Sequence, residues 1–430
     1  MMEFVIVAVA LLCIVIGTPL FIVLALVTLG SLYFLGDGML TEMIADMFNA
    51  VNKDVLLAIP FFLIAGQLMT HGSIARRLID FAKATVGWMP GGLAVSAIFA
   101  CVFFAAISGS SPVTVIAIGT MMFPALIKDK YKERFSLGLI TSAGSLGILI
   151  PPSIPMIIYA IVVSTPNHTI SVADLFIAGI MPGLLIAFLL MVYSVVVQRA
   201  NPHETRISFS FKKFKKAFQE GILALFLPIL ILGGIYSGFF TPTEAAAAAV
   251  VYAFVVEWLV HRDLKIKEVP KIIIESSTVM GSLFLIIVIA ISFNQFLALE
   301  RIPYRAAEWM NTLVSSPVMF LIVVNIFLLI LGCFMDIMSA ILIVGPLLGP
   351  MAIEFGIDPI HFAIIFIVNM EIGYLTPPLG LNLYVASSIF GKKIGTVVVS
   401  TLPFTLILIF ALLLISYIPS ISLWLVEMFR

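Results

Sequence analysis

Charge is scarce in this sequence. Of 430 residues, 23 are Lys or Arg and 23 are Asp or Glu, so charged side chains make up 11% and the formal net charge is zero. Soluble domains carry about 25% charged residues, and a chain with no basic excess offers no electrostatic footprint for nucleic acid. Cysteine is nearly absent: Cys13, Cys101 and Cys333 stand singly within apolar runs, at no spacing that makes a disulfide framework or a metal site. The histidines form no HExxH pair, and there is no GxxxxGK[ST] loop to hold ATP. No metal-ligand cluster or nucleophile–base pair can be named, so an enzyme is not expected.

What remains is apolar. Hydrophobic residues make up 62% of the chain, and mean hydropathy is +1.21. No soluble core hides that much apolar surface, so lipid must be the solvent for most of it. The runs are continuous, as in 222–235 and 402–418, and lack the alternation of barrel strands. At roughly 20 residues per crossing, the expected fold is an all-α polytopic membrane protein with about nine to eleven transmembrane helices. The first 35 residues are apolar without a basic start, and read as a retained helix rather than a cleaved signal.

The basic residues set the topology. Most fall into five clusters, at Arg76–Lys83, Lys128–Arg134, Arg199–Lys216, Arg262–Lys271 and Lys392–Lys393. The positive-inside rule places all five in the cytoplasm. Between the third and fourth lie two apolar runs, linked by Thr241-Pro242-Thr243-Glu244. That link reads as a capping box with proline in the first helical position, which gives Glu244 a structural role rather than one in ion binding. Between the first two clusters there is a single apolar stretch, 91–126. It is too long for one helix at about 1.5 Å per residue, and Ser108-Gly109-Ser110-Ser111-Pro112 breaks it in the middle. It is expected to be a re-entrant hairpin. For the crossings to balance, the stretch 316–352 must start and end on the outer side, as a hairpin of opposite orientation.

These regions are related by an ungapped shift of 226 residues. Gly119 falls on Gly345, Pro124 on Pro350, Gly147 on Gly373, and Pro151-Pro152 on Pro377-Pro378. Most matches are Gly or Pro, which set backbone shape, so the pattern reads as an inverted repeat of the kind found in secondary transporters. A helix broken inside a bilayer survives only where protein or a wet cavity satisfies its freed backbone groups. Freed carbonyls are hard ligands for a cation, and half-helix N-termini attract an anion. Paired breaks therefore suit co-binding of Na⁺ and a carboxylate. The candidate substrate-binding residues are Ser108, Ser110, Ser111, Ser145, Ser153 and Asn382. The candidate Na⁺ ligands are Ser108, Ser110, Gly144, Gly147, Pro151, Gly332, Asp336, Gly373, Thr376 and Pro377. Plainer readings stand beside these: a hydroxyl bonded back to its own helix, or a glycine that lets helices pack closely. Asp336 aligns with Ser110, and is a cation ligand or the holder of the hairpin tip. Glu371 aligns with Ser145, with a structural or proton-linked role.

Five segments, in order, carry a resemblance: IPFFLIAG at 59–66, FAAISGSSP at 104–112, LGILIPPS at 146–153, FTPTEA at 240–245 and TPPLGLN at 376–382. They resemble the large membrane subunit of TRAP transporters, the tripartite ATP-independent periplasmic carriers, and the resemblance runs along nearly the whole chain. It implies an elevator-type carrier in the bacterial inner membrane. The imported solute would be an organic acid of the sialic acid or C4-dicarboxylate class, coupled to Na⁺, with two ions. It implies two protein partners, a separate small four-helix membrane subunit and a periplasmic substrate-binding protein. By the same resemblance, 1–90 are scaffold helices and 91–165 are the first transport-domain repeat with its hairpin. Residues 166–270 are scaffold helices with a Lys-rich arm, and 271–315 a connecting helix. Residues 316–390 are the second repeat with its hairpin, and 391–430 a C-terminal helix. In the arm, Lys212, Lys213, Lys215 and Lys216 interleave with Phe211, Phe214 and Phe218. That pattern suits an interfacial helix on anionic membrane lipid; a solvated loop is the plain alternative. The alternative function is a channel with re-entrant loops, although loops of opposite orientation do not make one simple pore mouth.

Overall fold

A computed structural model of the chain describes residues 20–34, 54–164, 168–199, 209–314 and 316–429, with isolated positions before residue 54. Of the expected N-terminal helix, Leu20–Phe34 is described (α1) and most of the rest lies outside the described residues. A 3-10 turn at Asp54–Leu57 leads into α2 (Ala58–His71) and then α3 (Ile74–Val86). α3 buries Ile74, Leu78 and Ile79 on one face and exposes Arg76 and Asp80 on the other, the pattern of a helix lying at a boundary rather than crossing it. The first hairpin is α4 (Gly92–Ser108) and α5 (Ser111–Lys128). A broken crossing follows, made of α6 (Glu133–Ala143), a 3-10 turn at Gly144–Ile148 and α7 (Ile154–Val163). Next come α8 (Val172–Arg199), α9 (Phe211–Tyr236) and α10 (Pro242–Val255), the last running into a π-turn at Val256–Val260. The long α11 (Val269–Leu299) and short α12 (Ile302–Leu313) lead to the second hairpin, α13 (Pro317–Phe334) and α14 (Ile337–Glu354). A second broken crossing, α15 (Pro359–Gly373) and α16 (Leu381–Phe390), precedes α17 (Ile394–Tyr417) and α18 (Ser420–Phe429).

Among the described residues every element is helical, and nine helices are long and apolar enough to cross a membrane. Three of these, α5, α13 and α14, are hairpin arms. The capping box is formed: the Thr241 hydroxyl accepts from Glu244 N, and the Glu244 carboxylate accepts from Thr241 N at 2.8 Å. The lysines of the expected arm stand on the opening turns of α9 itself, which continues without a break past Lys216. Phe214 and Phe218 pack against Phe81 of α3, each with ring centroids 6.1 Å away. The C-terminal region is two helices rather than one, because Pro419 has no N–H to continue α17.

The repeat is helix for helix. A shift of 226 residues carries α5 onto α14 from end to end, and the start of α6 onto the start of α15. The two hairpins face opposite ways. Glu133 at the start of α6 forms a salt bridge with Lys392 just after α16, and Phe123 of α5 meets Phe390 of α16 at 4.6 Å. The base of the first hairpin, the start of α6 and the end of α16 thus share one side. At the other side, Val163 at the end of α7 lies against Gly345 and Gly349 of α14, near the base of the second hairpin. α6 and α7 run from one base to the other. The basic clusters converge as well: Arg77 pairs with Asp263 at 3.5 Å and donates to Glu220 O at 3.5 Å. That brings the first and fourth clusters, and the turn after the third, together on one side of the molecule.

Candidate transport site

Each hairpin tip seats on the break of its own repeat. In the first, α4 ends at Gly109, whose φ of 57° is one that glycine adopts without strain. A Cβ there would lie 2.8 Å from Pro152 O, so the tip rests directly on the broken segment. Ser108 Oγ lies 3.0 Å from Thr114 Oγ1, and Thr114 in turn donates to Ser110 O at 2.8 Å. These bonds close the tip on itself. Ser110 is half-buried at the N-cap of α5, where no side chain caps the first amides. Gly147 sits under the tip: a Cβ on it would be 2.5 Å from Ser110 O, and one on Gly144 would be 2.3 Å from a Val115 methyl. Pro151 and Ser153 are buried, and the Ser153 hydroxyl is taken up by Ile148 O.

The second junction repeats the plan with different side chains. Gly332 of α13 and Gly373 of α15 meet backbone to backbone, and Leu379 N donates to Cys333 O at 3.0 Å. Asp336 is the N-cap of α14, accepting from Ser339 N at 3.1 Å and from the Ser339 hydroxyl. It is exposed, and opens onto a cavity of about 640 Å³ walled also by Gly332, Ser339, Tyr374 and Leu379. Of the two roles read for Asp336, holding the hairpin tip is the one the geometry displays. Thr376 bonds back to Ile372 O at 2.9 Å, and Pro377 is exposed.

Two side-chain to side-chain hydrogen bonds join the repeats. Ser145 donates to Glu371 Oε1 at 2.7 Å, across a sequence separation of 226 residues. Equivalent positions of a twofold repeat can touch only at its axis, so this pair marks the pseudo-twofold. Both residues are fully buried, and Glu371 Oε2 takes no partner among the described residues. None of the ion pairs among those residues involves Glu371. The second contact is Asn382 Nδ2 to Ser111 Oγ, 2.6 Å, with Thr141 O at 3.5 Å from the same nitrogen. Ser111 opens α5 and Asn382 opens α16, and neither helix has a side-chain cap. Two helix N-termini without side-chain caps therefore meet between the repeats, with Asn382 N and Leu383 N of α16 taken by Tyr374 O and Gly380 O. Such ends carry partial positive charge and present N–H groups to an anion.

The sequence candidates thus gather into two tip–break junctions and the two bridges between them. Reading the sequence missed a buried polar chain beside the second junction. Asn369 donates to Asn325 Oδ1 at 2.8 Å, Asn325 to Ser416 Oγ at 3.1 Å, and His361 contacts Ser416 O and Ser422 Oγ. It ties the second hairpin to α15, α17 and α18. Its signal was available: carboxamides within otherwise apolar runs are costly unless paired.

Over residues 7–421 the chain matches the family described as Tripartite ATP-independent periplasmic transporter, DctM component. It is 47% identical over 377 residues to the C4-dicarboxylate TRAP transporter large permease protein DctM of Pseudomonas aeruginosa, spanning 88% of this chain and 87% of that one. With the protein of the same name from Rhodobacter capsulatus it shares 42% identity over 416 residues, 95% and 94% of the two chains. Its fold is similar to that in the crystal structure of the Alcanivorax borkumensis YdaH transporter, with a TM-score of 0.64 over 89% of each chain. At 17% identity that likeness concerns the fold alone. Matching helix for helix an inverted repeat of two hairpins and two broken crossings, and matched along nearly its whole length, this chain belongs to the DctM family, the large permease subunits of TRAP transporters.

Proposed function

We propose that the chain imports a C4-dicarboxylate across the bacterial inner membrane by Na⁺ symport, receiving it from a periplasmic substrate-binding protein and working beside a small membrane subunit. The observation that carries this reading is the meeting of the α5 and α16 N-termini at Ser111–Asn382. It sets two helix N-termini without side-chain caps at one place, where their partial positive charge favours an anionic solute with no Lys or Arg needed. The relatives' names favour a dicarboxylate over sialic acid. The coupling ions belong at the junctions, where the last carbonyls of α4, α13 and the broken crossings lack intrahelical partners. One Na⁺ is assigned to Ser108, Ser110, Gly144, Gly147 and Pro151, the other to Gly332, Asp336, Gly373, Thr376 and Pro377. In an elevator cycle α4–α7 and α13–α16 would move as one body, because the Ser145–Glu371 and Ser111–Asn382 bridges bind the repeats to each other.

Reconstituted with both partners, the chain should take up succinate when an inward Na⁺ gradient is imposed, without ATP. Uptake that persists unchanged after the Na⁺ gradient is collapsed contradicts Na⁺ coupling. Asp336→Asn keeps a capping side chain but removes the charge facing the second junction. The Na⁺ concentration for half-maximal uptake is expected to rise on the order of tenfold, with the melting midpoint in detergent nearly unchanged. An unshifted Na⁺ dependence would take Asp336 out of the ion site.

A further inference from the structure

At the cytoplasmic end of α10 the sequence passes from apolar to basic within twelve residues, from Val256 to Lys267. The π-turn places Trp258, Leu259 and Val260 on the surface, while Glu257 is buried and accepts from Ser73 N at 3.2 Å. The loop beyond is held in place: Asp263 N and Leu264 N both donate to Glu257 O, and Leu264 is buried. A cavity of about 650 Å³ opens beside it, walled by Trp258, Leu259, Arg262, Lys265, Ile266 and Lys267. Its walls hold three cations and no acid, since the neighbouring Asp263 pairs with Arg77. Among the described residues, none of these three cations forms an ion pair. Leu259 and Ile266 are 51% and 53% exposed, the first in the last turn of the apolar span Pro242–Val260 and the second in the basic loop just beyond it.

Apolar side chains and unpaired cations in one cavity ask for a ligand that is both anionic and apolar. We propose that this cavity binds the headgroup of an anionic phospholipid, its phosphate among Arg262, Lys265 and Lys267. An acyl chain would lie along Leu259 and Ile266, with Trp258 at the headgroup level. Free phosphate shares the headgroup chemistry but gains nothing from the apolar walls, and an acidic protein surface would not need walls at membrane depth.

The full-length chain is examined by native mass spectrometry with added phosphatidylglycerol, phosphatidylethanolamine or inorganic phosphate. The variant Arg262→Asn, Lys265→Ala, Lys267→Ala alters only exposed positions, with Asn chosen because Arg262 has a φ of 60°. A basic residue near a membrane surface contributes about fivefold in affinity, so phosphatidylglycerol should bind on the order of a hundredfold more weakly, with phosphatidylethanolamine little affected. Leu259→Ser with Ile266→Ser should also weaken phosphatidylglycerol. Wild-type retention of phosphatidylglycerol by the triple variant overturns the proposal. So does competition by inorganic phosphate at equal strength, or loss of the small membrane subunit from the triple variant with lipid retention intact, which would mark a protein-binding surface.

Discussion

Gly373→Ala is expected to abolish Na⁺-driven uptake, with initial rates down at least about a hundredfold, while the protein still inserts and purifies. The reason is steric and local. A Cβ on Gly373 would lie 2.6 Å from Gly332 Cα, 2.7 Å from Gly332 O and 2.8 Å from Gly332 C. All three are backbone atoms in the second hairpin, with no rotamer to relieve the clash. The hairpin tip must retreat by about 1 Å, and a displacement of that size at a binding constellation is enough to cost about two orders of magnitude in rate. Gly147→Ala makes the equivalent change in the other repeat, where the Cβ would meet Ser110 O at 2.5 Å and Ser111 N at 2.8 Å. Gly395→Ala is the control, since nothing lies within 4 Å of its Cβ. Wild-type rates in both junction variants would mean that close seating of tip on break is not required for transport.

The second large effect is expected at Asn382. Removing its carboxamide leaves the buried Ser111 hydroxyl without its 2.6 Å partner and loosens the α5 and α16 N-termini from each other. An orphaned buried polar group costs about 1–3 kcal/mol. If that loss falls on the substrate-bound state, Asn382→Ala weakens dicarboxylate affinity about tenfold to a hundredfold. Asn382→Asp makes a sharper test. It sets a carboxylate of the protein's own at two positive helix ends, where the substrate's carboxylate is assigned. This variant should fold with an unchanged or raised melting midpoint, lose stabilisation by succinate, and fail to transport. A wild-type KM in Asn382→Asp would move the anion site elsewhere.

The parts of this architecture written in backbone chemistry were legible in the sequence. The first hairpin announced itself as an apolar stretch with a Ser-Gly-Ser-Ser-Pro break between two basic clusters, the second through the parity of the crossings, and the repeat as matched Gly and Pro positions. Side-chain pairings across the repeats were not legible. Ser111 and Asn382 are 271 residues apart, and the shift of 226 maps neither onto the other; only the packing of α16 against α5 brings them together. Ser145 and Glu371 could be aligned, but alignment does not say that equivalent positions lie on the axis. Asp336 was legible as a carboxylate among apolar neighbours. Its spacing from Ser339 was a second signal, for the cap, since Asp followed three residues later by a hydroxyl at a helix start is capping chemistry. The Lys-rich segment held the reverse lesson. Phe211, Phe214 and Phe218 share one helical face whether the helix is interfacial or spanning, and α9 runs on as one helix through Gly221 and Pro228.

The central claim is that the two tip–break junctions are separate Na⁺ sites. Radiolabelled Na⁺ binding to the purified chain in detergent tests it most directly. Two ions should bind per chain, unaffected by excess K⁺, with one lost in Gly147→Ala, one lost in Gly373→Ala and both lost in the double variant. No Na⁺ binding by the intact chain, or full stoichiometry in both single variants, would contradict it.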